Sequence, residues 1–297
     1  MHAACSSGSV TSTECAAWLT QFTAAVSARW QALEVVIADR SADEAAALAL
    51  AVQQEVERIE HKYSRYRDDS VISELNRNSG GAAVQVDDET LQLLRNAATL
   101  YSASHGLFDI TAGVLRRAWR FSDAVVPPQA AIDALLPLIN WTRVERDGNS
   151  VRLPVAGMEL DFGGFGKEYA ADQGAALLQA AGVHHGYVNL GGDVRVLGPK
   201  PGGEPWQIGI QHPRKADLVA TLPVRWWQSV SVLAPTTLLA GSFCTIAMLF
   251  EQDGLHFLQQ SGLPFLAIDH NGRCWQQNAA QPASTTNSHS PSPAVSR

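Results

Sequence analysis

Glu159-Leu160-Asp161-Phe162-Gly163-Gly164-Phe165-Gly166-Lys167-Glu168-Tyr169-Ala170-Ala171-Asp172 reads as a short apolar strand that delivers an acid, a glycine-dense turn, and a helix start bearing a lysine. Glycines let a ligand approach the backbone closely. A helix N-terminus offers N–H donors and the positive end of a dipole, which suits a phosphate. Lys167 adds a point charge. The GxxxxGK(S/T) spacing of a P-loop is absent, and so is GxGxxG after a strand. Two readings stand for this segment: a phosphate cradle, or a tight strand-to-helix turn with a solvated lysine.

Outward from this turn, the helix it starts runs over 167–181 and stops at Gly182. Upstream, 30–38 is a strand centred on Val35, Val36 and Ile37. Ser41 is an N-cap for a helix through Tyr63, with Asp43 and Glu44 in its first turn. Asp87 or Asp88 caps another helix carrying Leu91, Leu94, Ala98 and Tyr101 on one face, with Gly106 as its C-cap. Downstream come short strands at 186–190, 194–197, 206–210 and 228–233. Thr236 or Thr237 starts a helix through Phe250, and 265–269 with 273–276 form a closing hairpin. Irregular alternation of strands and helices favours α+β over a doubly wound sheet. The expected architecture is one large α+β domain over 21–276, with mixed sheets and flanking helices. A flexible extension (1–20) and a disordered Ser/Thr/Pro-rich tail (277–297) flank it.

Composition limits the function. The 297 residues are 46% hydrophobic and 17% charged, so the chain can bury a large core. A net charge of −7 argues against a nucleic-acid binder, which needs clustered Lys and Arg. No apolar run approaches the ~18 residues of a transmembrane helix. Cys5, Cys15, Cys244 and Cys274 form no CxxC pair and no zinc-type cluster. Cys244 falls in an apolar helical pattern and reads as an inert buried thiol. The start, Met1-His2-Ala3-Ala4-Cys5, has the look of a lipoprotein cleavage site but neither the charged nor the apolar region of a signal peptide, so the expectation for the chain as given, unless its true start lies upstream, is a cytoplasmic one.

Three further segments can carry chemistry. In Val188-Asn189-Leu190-Gly191-Gly192-Asp193 a strand runs into paired glycines and an acid, as an ordinary β-turn or as the second glycine turn of one cleft. Gly106-Leu107-Phe108-Asp109-Ile110-Thr111-Ala112-Gly113 sets Asp109 and Thr111 two apart, on one side of an extended stretch or in an Asx-type turn. Ser64-Arg65-Tyr66-Arg67-Asp68-Asp69-Ser70, leading to Leu75-Asn76, reads either as a polar loop capping a helix or as a ligand-contacting loop with an aromatic platform. The nine histidines offer no clear base.

Taken together and in this order, these segments and the Thr245 region resemble the FAD:protein FMN transferase family, also called the ApbE family. The resemblance spans about 30–275. It implies binding of FAD with a divalent metal, usually magnesium. It implies transfer of FMN to a threonine hydroxyl of an acceptor protein, with release of AMP. By motif match, Tyr66, Leu107, Phe108, Asp109, Asp161 and Lys167 would contact FAD. Gly164 would give the metal a backbone carbonyl and Thr245 a side-chain oxygen. Such parts suit phosphoryl transfer, which rests on positioning and charge stabilisation.

This chain departs from the family pattern at three places. A metal-binding Asp is expected in an Ala-Asp-x-x-x-Thr pattern, where Ala240-Gly241-Ser242-Phe243-Cys244-Thr245 has glycine. The family's Thr-Ser-Gly and His-x-x-Asp-Pro-x-x-Gly segments are missing near Thr221, where His212-Pro213 leads almost directly to Arg225-Trp226-Trp227. The family's early Met-Gly-Thr is here Val26-Ser27-Ala28. These departures leave two alternatives to a working transferase: a non-catalytic FAD-binding relative, or an interaction protein that keeps only the fold.

Overall fold

The computed structural model describes residues 33–119, 125–208, 227–269 and 271–278. The N-terminal extension, the segment around Thr221 and the tail beyond 278 fall outside these residues. In chain order, β1 (Leu33–Ile37) leads to α1 (Ala42–Tyr63), α2 (Val71–Arg77), β2 (Val84–Gln85) and α3 (Asp88–Ala103). A 3₁₀ run (Ile110–Arg117), α4 (Gln129–Asp133), β3 (Glu145–Asp147) and β4 (Ser150–Arg152) follow. Next come α5 (Gly166–Ala180), β5 (Gly186–Leu190), β6 (Asp193–Gly198) and β7 (Trp227–Val232). The described chain closes with α6 (Thr237–Leu249), α7 (Gly254–Ser261), β8 (Phe265–Asp269) and β9 (Cys274–Gln277).

Three small sheets result, in the orders β1-β5-β6, β2-β4-β3 and β7-β8-β9. The architecture is α+β, as the irregular alternation implies. Every strand pair among the described residues is antiparallel, so the sheets are uniform rather than mixed.

Local signals account for most of the helices. Ser41 and Glu44 form a capping box at α1. Asp87 caps α3 and Thr236 caps α6. Four expectations need correction. Residues 159–162 do not form a strand. Residues 206–208 do not begin one either, because Trp206 folds back, donating its Nε1 to the Gly198 carbonyl at 2.8 Å. The helix before Gly106 ends at Ala103 with Ser104, not Gly106, as its C-cap, and both His105 (φ 52°) and Gly106 (φ 87°) are left-handed. The deepest face of α3 is Leu93, Leu94 and Ala97, rotated from the expected one, and Tyr101 is only partly buried.

The main core lies between the β1-β5-β6 sheet, α1, α3 and α5. Val35 and Val188 face each other across β1 and β5, both fully buried. Gly174 lets α5 cross α1 closely, since a Cβ there would stand 2.8 Å from Val52 Cγ1. A smaller core of Trp227, Ala247, Leu258, Phe265 and Ala267 joins α6 and α7 to the C-terminal sheet.

Glu89 ties three helices together. It accepts from Arg58 at 2.7 Å, Lys62 at 2.5 Å and the Tyr169 hydroxyl at 2.8 Å. Burial works against its charge, but these donors outweigh burial and hold its carboxyl down from 4.5 to about 2. A carboxyl depressed on folding stabilises fully above its unfolded value and loses that contribution as pH falls through the folded one. Glu89→Gln is therefore expected to cost about 2–3 kcal/mol at neutral pH and to flatten the loss of stability from pH 4.5 towards 2. Urea unfolding of both proteins across that range checks this. Parallel pH profiles would refute it.

Candidate functional site

The stretch 159–162 that leads into the glycine turn is held extended without belonging to a sheet. The Asn76 side chain donates to the Leu160 carbonyl at 3.0 Å and accepts from the Leu160 N–H at 2.7 Å. Its carboxamide thus stands where a neighbouring strand's backbone would be. One residue on, the Asp161 N–H donates to the Ile110 carbonyl at 2.9 Å. Phe162 and Phe165 then bury their rings, 4.9 Å apart, with Phe162 5.4 Å from Tyr63 and Phe165 6.2 Å from Phe108. Between them Gly163 and Gly164 pass the chain over the core, and α5 starts without a side-chain cap.

This turn forms one wall of a cleft of about 440 Å³. Leu107, Phe108, Ile110, Leu115 and Trp119 make it apolar, and Leu249 reaches it from α6. Arg65, Arg116 and Asp161 supply its charges. Arg65 pairs with Asp161 at 2.6 Å, donates to the Gly113 carbonyl at 3.3 Å and stacks against the exposed Tyr66 ring at 5.0 Å. Arg116 is oriented by the buried Glu159, which also binds Arg117. A cleft of this size with an apolar floor and few polar groups fits a planar organic ligand with an anionic portion.

Five of the residues singled out in the sequence line this cleft: Leu107, Phe108, Asp109, Asp161 and Gly164. Gly164 packs on Phe108, whose ring a Cβ would meet at 3.0 Å. The Asp109 carboxylate is engaged inside the fold. It accepts from the Thr111 N–H and hydroxyl at 2.8 and 2.6 Å and from the Trp141 N–H at 3.0 Å. Tyr66, Lys167 and Thr245 are not among the lining residues. Tyr66 sits beside the cleft on Arg65, while Lys167 and Thr245 belong to a neighbouring corner where α5 packs on α6.

In that corner Lys167 pairs with Asp193, which follows the Leu190-Gly191-Gly192 turn. The two glycine turns are thereby joined, although the second is itself a tight β5-β6 hairpin with φ of 62° and 98° at its glycines. Burial lowers the pKa of Lys167 and raises that of Glu168. Burial also pushes the Cys244 thiol up to about 11, consistent with an inert thiol. Asp172, in the second turn of α5, caps the start of α6. It accepts from the Thr237 N–H and hydroxyl at 2.9 and 2.8 Å and from the Leu238 N–H at 2.8 Å.

A cation in this corner is tested by the donors present. Among the described residues no group of three His, Cys, Asp or Glu side chains could hold a metal ion. Buried oxygens without a hydrogen-bond partner do occur on the two helices that meet there, Glu168 Oε2 on α5 and Ser242 Oγ on α6, whereas the Asp193 carboxylate is taken by Lys167. Carboxylate, hydroxyl and carbonyl oxygens fit a hard cation such as magnesium and exclude a thiolate- or imidazole-type site. Sequence reasoning passed over Glu168 and Asp172. Glu168, an acid in a helix's first turn, is ordinarily read as a dipole partner, and Asp172, one turn further on, gives no local sign that it will bind the start of α6.

Fold and cleft thus define an α+β protein with an apolar ligand cleft flanked by arginines and a corner of oxygen donors. The chain belongs to the ApbE family, whose model matches residues 22–225. It is 32% identical over 226 residues to a FAD:protein FMN transferase of Klebsiella pneumoniae, covering 73% of this chain and 67% of that protein. A FAD:protein FMN transferase of Vibrio cholerae is 26% identical over 170 residues, covering 56% of this chain and 51% of that protein. The chain thus spans about half to two thirds of the length of these relatives. The crystal structure of the Pseudomonas stutzeri flavinyl transferase ApbE, apo form, superposes with a TM-score of 0.72 at 25% identity, covering 83% of this chain and 91% of that one.

Proposed function

We propose that this chain is a FAD:protein FMN transferase that moves FMN from FAD to a threonine hydroxyl of an acceptor protein and releases AMP. The observation that carries this reading is the cleft, in which Leu107, Phe108, Asp109, Asp161 and Gly164 converge from segments far apart in sequence. The flavin ring would lie on the apolar floor beside Phe108. Tyr66, exposed and stacked on Arg65, extends that surface. Arg65 and Arg116 face the side where the pyrophosphate charge would sit, and Lys167 waits at the head of α5. Asp109, whose carboxylate locks the loop, would contact FAD through its backbone. The Gly164 carbonyl and the Thr245 hydroxyl would hold magnesium, which would neutralise pyrophosphate charge. In the transfer, the threonine Oγ would form a bond to the FMN phosphorus as the bond from that phosphorus to the bridging oxygen breaks, AMP would leave with that oxygen, and the hydroxyl proton would pass to solvent. The protein's share is alignment and charge placement.

The test is an in-gel assay. Incubation with FAD, magnesium and a threonine-bearing acceptor should give a flavin-fluorescent acceptor band after denaturing electrophoresis. A chain that neither binds nor consumes FAD with any divalent metal would overturn the proposal. Gly241 favours a second reading, a relative that binds FAD without turnover. That reading expects saturable FAD binding and no AMP, and metal-dependent AMP release would sink it.

A further inference from the structure

Glu168 stands in the first turn of α5 and is only 8% exposed. Its Oε2 is buried with no hydrogen-bond partner. The fully buried Ser242 Oγ, on α6, is in the same state. A buried carboxylate oxygen is costly unless a positive charge and oriented donors compensate it. Lys167, the adjacent cation, is paired with Asp193 instead.

Gly241 makes this position possible. A Cβ at 241 would stand 2.6 Å from Glu168 Cγ and 2.8 Å from its Oε1. The glutamate therefore fills the space into which residue 241 would project a side chain. Thr245 lies four residues after Gly241, on the same face of α6 and one turn along. Resting on the transferase reading above, we propose that Glu168 is this chain's carboxylate ligand for a divalent cation, replacing from α5 the acid that α6 lacks at position 241. With the Thr245 hydroxyl and the Gly164 carbonyl, it completes an all-oxygen donor set of the kind hard cations take. The two positions form one exchange of bulk: an acid at 168 requires glycine at 241, and an acid at 241 requires a small residue at 168.

The test uses the full chain and Mn²⁺, whose free fraction is read by electron paramagnetic resonance. Wild type should take up Mn²⁺. Glu168→Gln, which keeps the shape and removes the charge, should bind it at least about tenfold more weakly. The reciprocal pair Glu168→Gly with Gly241→Asp should recover binding to within a few-fold of wild type. Gly241→Asp alone should bind no better than wild type and melt lower. Should Glu168→Gln prove poorly folded by circular dichroism, the reciprocal pair decides: no recovery rejects the inference. Equal Mn²⁺ affinity in wild type and Glu168→Gln overturns it, as does no uptake by wild type. Quenching of FAD fluorescence in the same samples separates this from the transferase reading. FAD binding with Mn²⁺ affinity indifferent to Glu168 rejects the ligand alone. Mn²⁺ binding that depends on Glu168, without FAD binding, rejects the transferase alone.

Discussion

Asp172→Ala is expected to lower the unfolding free energy by about 3–4 kcal/mol. The carboxylate accepts three hydrogen bonds at the start of α6, from the Thr237 N–H, the Thr237 hydroxyl and the Leu238 N–H. Thr237 is 4% exposed, so water cannot readily replace the lost partner. Helix N-terminal donors bound to an ionised acceptor are among the stronger local interactions. Set against a total stability of about 5–15 kcal/mol, this is a large share. Asp172→Asn keeps one oxygen acceptor and should lose about half as much. Arg195 pairs with this carboxylate at 3.6 Å but carries only donors, so it cannot take over the acceptor's role. Urea unfolding of the three proteins measures this, and an alanine variant within about 1 kcal/mol of wild type would contradict it. The effect also reaches the site. Asp172 is the clamp that fixes where α6 begins against α5, and Gly241 and Thr245 are carried on the following turns.

Asp172 also shows where sequence reading stops. The helices announce themselves locally: Ser41 with Glu44, Asp87 and Thr236 each stand at the observed starts. The strand 186–190 is where alternation places it. These signals operate within four residues, and one chain contains them entirely. The site depends on contacts across long separations. Asn76 holds Leu160 from 84 residues away, and Asp109 binds the Trp141 N–H from 32. Nothing in the neighbourhood of Asn76 shows that its carboxamide will replace a strand at 160. That is why 159–162 reads as a strand and is none. The residue types of the cleft were legible because motif order carries them. The partner that occupies each side chain was not, so Asp109 reads as a ligand contact although its carboxylate is already bound within the fold. Glu168 and Gly241 are the sharpest instance. Each is unremarkable alone, and their relation shows only in the 2.6 Å at which a Cβ on residue 241 would meet Glu168 Cγ.

Gly113→Ala is expected to cost about 2–3 kcal/mol of stability and at least about tenfold in FAD affinity. A Cβ at 113 would stand 2.6 Å from Asp161 Cβ and 3.3 Å from Arg65 Nη1. Neither neighbour can yield cheaply. The Asp161 backbone is pinned by its N–H bond to Ile110 and by the Asn76 clamp on Leu160 just before it. Arg65 is held between Asp161 and the Gly113 carbonyl. The added methyl must therefore pry the Arg65–Asp161 pair apart or displace the glycine turn that follows Asp161 from the cleft wall. Either shift moves the charged groups that face the proposed pyrophosphate position. The mechanism is checked by a double-mutant cycle. Asp161→Gly removes the Cβ that the methyl strikes, so Gly113→Ala should cost at least about 1 kcal/mol less in that background. Equal costs in both backgrounds would mean that the glycine is needed for something other than the approach of Asp161. A coupled result would mean that the glycine of one motif exists to admit the aspartate of another, and that the two segments act as a single wall of the cleft.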